Sequence, residues 1–125
     1  MEYSISESEY KPSTLEELSE YYNMGTPVIL KEVPVNIHSE ENYVNGFFEA
    51  EGRNVVFYAI NSNPKDVREL TRIMESCSRR GIELKLKGKY YTNAAEFSTN
   101  ETRERLDLFI INGIELGTLE GLRTR

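Results

Sequence analysis

Cysteine and histidine occur once each in this chain, as Cys77 and His38. A single thiol cannot close an internal disulfide, and Cys77, set on an apolar helical stripe, reads as an inert core group. A single histidine cannot anchor a metal site of the usual His/Cys kind, nor complete a Ser/His/Asp arrangement. No serine stands in a nucleophile-elbow pattern, and neither GxxxxGK[ST] nor GxGxxG occurs, so phosphate-cradling loops are also missing. Catalysis is therefore not expected, and no cofactor or metal is implied. No apolar run approaches the roughly 18 residues needed to cross a bilayer. The start, MEYSISESEYK, is acidic and polar where a secretory signal would be basic and then apolar. With the lone cysteine, this sets the expectation of a cytoplasmic protein without a membrane partner.

The 125 residues make about one domain, and a hydrophobic fraction of 38% is enough for a folded core. The net charge of −6 is unevenly spread. Residues 1–51 hold two basic and eleven acidic side chains, a balance of −9, whereas residues 52–125 hold thirteen and ten, a balance of +3. Taken whole, the charge opposes a polyanionic ligand, but a positive face on the later part is compatible with it.

No internal repeat or low-complexity tract interrupts the chain. Residues 1–12 read as a flexible acidic arm. Residues 13–24 read as a helix, capped by Ser13 or Thr14 with a glutamate three positions on, and with Leu15, Leu18 and Tyr22 on one face. TPVILKEVPVNI is a strand pattern in which Pro34 demands an edge, a bulge or a break. HSEEN reads as a turn, YVNGFFEA as a second strand, EGRN as a hairpin turn and VVFYAI as a third strand. Gly46 suggests a bulge or bend. Asn63-Pro64-Lys65-Asp66 opens a helix, and Val67, Leu70, Ile73, Met74 and Cys77 form its apolar stripe. Arg79 and Arg80 suit its C-terminal end, and Gly81 its left-handed stop. ELKLKGKYY then gives a fourth strand, TNAAEFSTNETRER a long loop, and LDLFIINGIEL a fifth strand, with residues 118–125 as a tail.

Through GTPVILKEVPV, YVNGFFEAEGRNVVFYAI, GIELKLKGKYY and DLFIINGIEL, the chain resembles OB-fold domains of the anticodon-binding-like and replication-protein-A-like group. The resemblance, over about residues 26–116, implies a mainly β fold, a five-stranded Greek-key barrel of order β-β-β-α-β-β; the barrel domain is set at residues 25–117, and the N-terminal helix is expected to pack on it. It also implies single-stranded nucleic acid bound across the second and third strands, flanked by loops 36–42 and 92–105. Glu40 and Glu41 in the first loop depart from that expectation, because they would repel phosphate.

On the fourth strand Leu84 and Leu86 share one parity, and Lys85, Lys87 and Lys89 the other. Alternate residues lie about 6.5–7 Å apart on a strand, so the lysines could track a phosphate backbone, extended by Arg79 and Arg80. They are equally the wet side of an ordinary strand. Tyr43, Phe47, Tyr58 and Tyr91 are the candidate base-stacking rings, provided Val44, Phe48 and Phe57 face inward. Packing beneath the N-terminal helix is the competing use of those rings. Two readings stay open: a module for single-stranded DNA or RNA, and an assembly subunit that docks a protein partner or a second copy of itself.

Overall fold

The computed structural model describes residues 9–51, 53–61, 63–92 and 105–114. Among them the elements run β1 (Lys11–Pro12), α1 (Leu15–Ser19), β2 (Met24–Glu32), β3 (Val35–Ser39), β4 (Tyr43–Phe48), β5 (Arg53–Ile60), α2 (Pro64–Arg80), β6 (Leu84–Tyr91) and β7 (Arg105–Ile114). The protein is mainly β, a single mixed sheet in the order β1-β2-β6-β7-β5-β4-β3. Seven strands replace the expected five for two reasons. The first expected strand breaks at Val33-Pro34 into β2 and β3, since proline has no N–H to give a ladder. The arm contributes β1, which pairs parallel with the outer edge of β2. With β2 and β3 taken as halves of one strand, the connectivity is OB-like, including the parallel pairing of β5 with β7.

The expected closed barrel is not what forms: no ladder joins β2 to β3, and the sheet stays open there. It is nonetheless tightly curled. β2 and β3 stand five strand positions apart in the sheet, which laid flat would separate them by about 24 Å. Only Val33 and Pro34 connect them, and three virtual bonds of 3.8 Å span at most about 11 Å. The sheet has to roll up until its two ends nearly meet.

Rolling the sheet encloses one face. Val28, Leu30, Val44, Phe48, Val55, Phe57, Leu84, Leu86, Tyr90 and Phe109 fill the interior. Phe57 stacks on Phe48 at 4.9 Å between ring centroids. Gly46 is in register with Phe57 of β5, but on its other side the β3–β4 register shifts between Val35 and His38, so the expected bulge lies on β3, opposite Gly46. Glycine is needed there because a Cβ would stand 2.8 Å from the Phe57 ring and from the Val35 carbonyl oxygen. α2 begins at its Asn63 cap and stops at Gly81, as the sequence predicts. It packs on β3 and β4 through Val67, Ile73, Met74 and Cys77. Burial pushes the Cys77 thiol above its ordinary pKa, which keeps it protonated and inert.

The N-terminal helix is shorter than residues 13–24. Thr14 is the N-cap and forms a reciprocal capping box with Glu17, and the helix ends at Glu20. Leu15 and Leu18 insert into the core, while Tyr22, expected on the same face, points to solvent. The arm is anchored where it is described, with Tyr10 buried beside β1. The tail, residues 118–125, and most of loop 92–105 lie outside the described residues.

One charged cluster sits inside the curl. Asp107 of β7 is fully buried, and its Oδ2 accepts a 2.5 Å hydrogen bond from the Tyr90 hydroxyl of β6. The Arg53 guanidinium of β5, with 8% of its side chain exposed, places Nε 3.3 Å from the same oxygen. Arg53 also donates to the backbone oxygen of Leu15, so the cluster ties α1 to three adjacent strands. Burial, reinforced by the bond to Asp107, pushes the Tyr90 phenol well above its ordinary value of 10.0. The native state holds this proton where the unfolded chain releases it. Its contribution to stability is complete below about pH 10 and declines as pH rises beyond it.

Urea denaturation tests the cluster. Arg53→Met, which removes the guanidinium beside the buried Asp107 carboxylate, is expected to cost about 3–5 kcal/mol at neutral pH. Tyr90→Phe is expected to cost about 1–3 kcal/mol and to remove part of the alkaline loss of stability. Unchanged midpoints in both variants would contradict the burial described here.

Candidate nucleic-acid interface

The strands that enclose the core present their other parity outward, and the register places those residues in rows across the sheet. One row runs Met24, Tyr91, Leu108, Val56, Phe47 and Val35 from β2 to β3. The neighbouring row runs Pro27, Lys89, Ile110, Tyr58, Asn45 and His38 over the same strands. Tyr43 stands opposite Ile60 beyond the second row. The Tyr43 and Tyr58 rings lie 5.7 Å apart at 51°, a tilted pair.

Four predicted rings, Tyr43, Phe47, Tyr58 and Tyr91, therefore share this outer face, and Phe57 is in the core as that placement requires. α1 does not cover them, because Leu15 and Leu18 are spent on the interior. Of the basic candidates, Lys85, Lys87 and Lys89 alternate with buried Leu84, Leu86, Gly88 and Tyr90, so their outward parity is as predicted. They are not equivalent, however. Lys89 stands within the second row, between Pro27 and Ile110. Lys87 lies over the Tyr10 ring, its Nζ 5.8 Å from the centroid. Lys85 pairs across the ladder with Lys31. Arg79 and Arg80 are exposed on the last turn of α2, off the sheet face.

The predicted flanking loop 36–42 is largely strand, because β3 runs through Ser39 and only residues 40–42 turn. Asn36 carries φ of 53°, a left-handed conformation that asparagine tolerates, where the β3–β4 register shifts. His38 is on β3, and its Nε2 lies 2.8 Å from Glu40 Oε2. Glu40 and Glu41 are exposed beside the aromatic face.

Sequence reasoning missed Leu108 and Ile110 of β7, which link the rings of β5 to Tyr91 and Lys89 of β6. Beyond Arg105 at its start, both parities of β7 are apolar apart from Asp107 and Asn112, and Asp107 is on the buried one. It also missed Asn45, whose buried Oδ1 has no hydrogen-bond partner, and Met24, which is 77% exposed at the end of the first row.

A concave region lies between α1 and the β4–β5 turn, a cleft of about 400 Å³ lined in part by Glu16, Glu32, Glu49, Glu51 and Arg53. Burial, with Glu83 nearby, raises the Glu32 carboxyl above its ordinary value, against the pull of Arg53. Four carboxylates make this cleft unsuited to phosphate. Among the described residues no cluster of His, Cys, Asp or Glu could hold a metal ion, and no helix is long and apolar enough to cross a membrane.

No protein-family model matches the chain, and no curated protein does. Solved structures do share its fold. An aspartyl-tRNA synthetase from Entamoeba histolytica aligns over 83% of this chain with a TM-score of 0.52 at 13% identity. A candidate aspartyl-tRNA synthetase from Leishmania major Friedlin aligns over 92% with a TM-score of 0.52 at 11% identity. This chain spans only 20% and 22% of those two chains, and at such identity the likeness is one of fold.

Tyrosine nitration monitored by mass spectrometry checks the placement of the rings. Tyr21 and Tyr22, at 68% and 71% exposed, are expected to react first, the half-buried Tyr43, Tyr58 and Tyr91 later, and Tyr90 last. Early modification of Tyr90 would overturn the inward assignment of its strand parity.

Proposed function

We propose that the chain is a non-enzymatic cytoplasmic module that binds single-stranded DNA or RNA across the outer face of β4, β5, β7 and β6. The observation that carries this reading is the alignment of Tyr43, Phe47, Tyr58 and Tyr91 with Lys89 on one face of an OB-like sheet. Rings on such a face stack with bases of any identity, each worth about 1–3 kcal/mol, and the intervening half-buried Leu108 and Ile110 supply dry contact. Lys89, with Lys85 and Lys31 along the same outer surface, offers cations to the backbone. The two fold neighbours are named for a transfer RNA, which supports a nucleic-acid ligand for this fold. The acidic N-terminal half sets a limit: association would be steered by the local face, not by net charge.

One observation favours a second reading, an assembly module with a protein partner. Tyr21, Tyr22 and Met24 are large exposed side chains close together in sequence just after α1, which carries the exposed Glu16 and ends at Glu20. Exposed tyrosines of this kind are frequent anchors of protein interfaces.

Fluorescence anisotropy of labelled single-stranded oligonucleotides, titrated at low and physiological salt, separates the two. Salt-sensitive binding that prefers single strands is expected, with Phe47→Ala and Tyr58→Ala each weakening it by about 1–3 kcal/mol. Lys85→Ala/Lys87→Ala/Lys89→Ala is expected to flatten the salt dependence with little change in stability. Absence of binding even at low salt would sink the nucleic-acid reading and leave the protein partner.

A further inference from the structure

α2 carries a second positive surface that the sheet does not account for. Lys65, Arg68, Arg72 and Arg79 are spaced three, four and seven residues apart and so fall within about 60° of arc on the helix. All four are exposed; Glu69 stands four residues from Lys65 and three from Arg72, and Glu75 three from Arg72 and four from Arg79, flanking the stripe on its two sides. Among the described residues no carboxylate lies within ion-pair distance of any of them. The opposite side of α2 is fully used in packing, through Val67, Ile73, Met74 and Cys77. Arg68 and Arg72 are like charges at i and i+4, an arrangement that destabilises a helix left to itself. In a chain of net charge −6, four cations aligned on one helix face point to an anionic partner.

In sequence the stripe begins just beyond the aromatic face. Ile60, 62% exposed, stands opposite Tyr43 at one end of that face, and Lys65 follows it after a five-residue step. The Asn61 amide, bonded to the Asn42 carbonyl at 2.9 Å, and the Asn63 cap fix this corner. From Lys65 the cations advance along the axis by about 4.5, 6 and 10.5 Å. Three of the four are arginines, whose planar fork suits phosphate oxygens better than a lysine ammonium does. Glu40 and Glu41 in the adjoining turn oppose passage of a phosphate, and Glu40 is already turned toward His38.

We propose that this face of α2 is a second track for the same nucleic-acid ligand, holding the phosphate backbone that continues past the Tyr43 and Ile60 end of the sheet. The inference rests on the nucleic-acid reading of the sheet and extends it. The sheet takes bases, and α2 takes backbone alone. Short strands use only the first surface and longer strands use both.

Two oligothymidylate probes, about four and about sixteen nucleotides long, separate these surfaces when their anisotropy titrations are run against the full chain and its variants. Arg68→Gln/Arg72→Gln is expected to leave the short probe unaffected and to weaken the long one by about tenfold or more. Its salt slope for the long probe is expected to fall by about 1.4, two phosphates at about 0.7 each on a single strand. Arg68→Lys/Arg72→Lys retains most of the affinity. If the glutamine variant binds both probes as the unmodified chain does, the second track is overturned while the sheet reading stands. If the unmodified chain binds neither probe, the sheet reading fails and takes this inference with it. Sedimentation that shows self-association abolished by Arg68→Gln/Arg72→Gln would assign the stripe to a second copy of the chain and likewise overturn it.

Discussion

A two-residue link between strands at opposite ends of one sheet governs this molecule. Val33 and Pro34 must carry the chain from β2 to β3, and that short reach forces the sheet to roll. The enclosed face becomes the core, and the convex face is left with rings and lysines in lateral rows. Close approach on the inside then selects for missing side chains. At Gly88 a Cβ would stand 2.2 Å from the Ile110 carbonyl oxygen and 2.8 Å from the Phe109 ring. Any larger residue there would have to unroll the sheet or displace a central strand.

Rolling also creates an interior that accepts a charge. Asp107 can be buried because Arg53 and Tyr90 reach it from the two strands that flank β7. Such a cluster is weak evidence for net stability, since desolvating the ions offsets much of their attraction. Its value is positional. A shift of β7 by one residue would turn Asp107 out and leave Arg53 buried without its counter-charge, so the cluster penalises the wrong register strongly. The same register sets Ile110 on the convex face between Tyr58 and Lys89, and Leu108 between Val56 and Tyr91. A buried ion pair and a candidate ligand surface therefore depend on one strand alignment.

That coupling explains what could be read in advance. α2 was legible to the residue, because its proline start, apolar stripe and glycine stop are all local. The alternation in β6 was legible too, since it separates leucine from lysine. The outward rings of β4 followed from the same rule. β7 was not legible by that rule, because its buried parity carries the aspartate and its exposed parity the leucines. Hydropathy alone assigns that strand backwards, and only Arg53 and Tyr90, distant in sequence, reverse the assignment. The split at Pro34 was foreseen as one of three outcomes, but β1 carried no strand signal, being a two-residue pairing imposed by the edge of β2. The α1 boundary was overrun because Tyr22 fits the helical spacing, although the capping box and Leu15 and Leu18 complete the short helix. The lysine row read as uniform because strand parity says nothing of what crosses above it, and Tyr10 comes from far away in the chain.

The position of β7 has a consequence for how the chain acquires its structure. β7 is the last strand in sequence among the described residues, yet it sits at the centre of the sheet, paired with β6 on one side and in parallel with β5 on the other. Until it is in place, β1, β2 and β6 form one fragment and β5, β4 and β3 another, each with a bare inner edge. A chain emerging from a ribosome would therefore leave the inner edges of β5 and β6 unpaired until residues 105–114 are free. Closure then requires contacts between distant segments, which places folding at the slow end for a domain of this size. The unpaired edges of β5 and β6 are the surfaces that such a waiting chain would need shielded from neighbours.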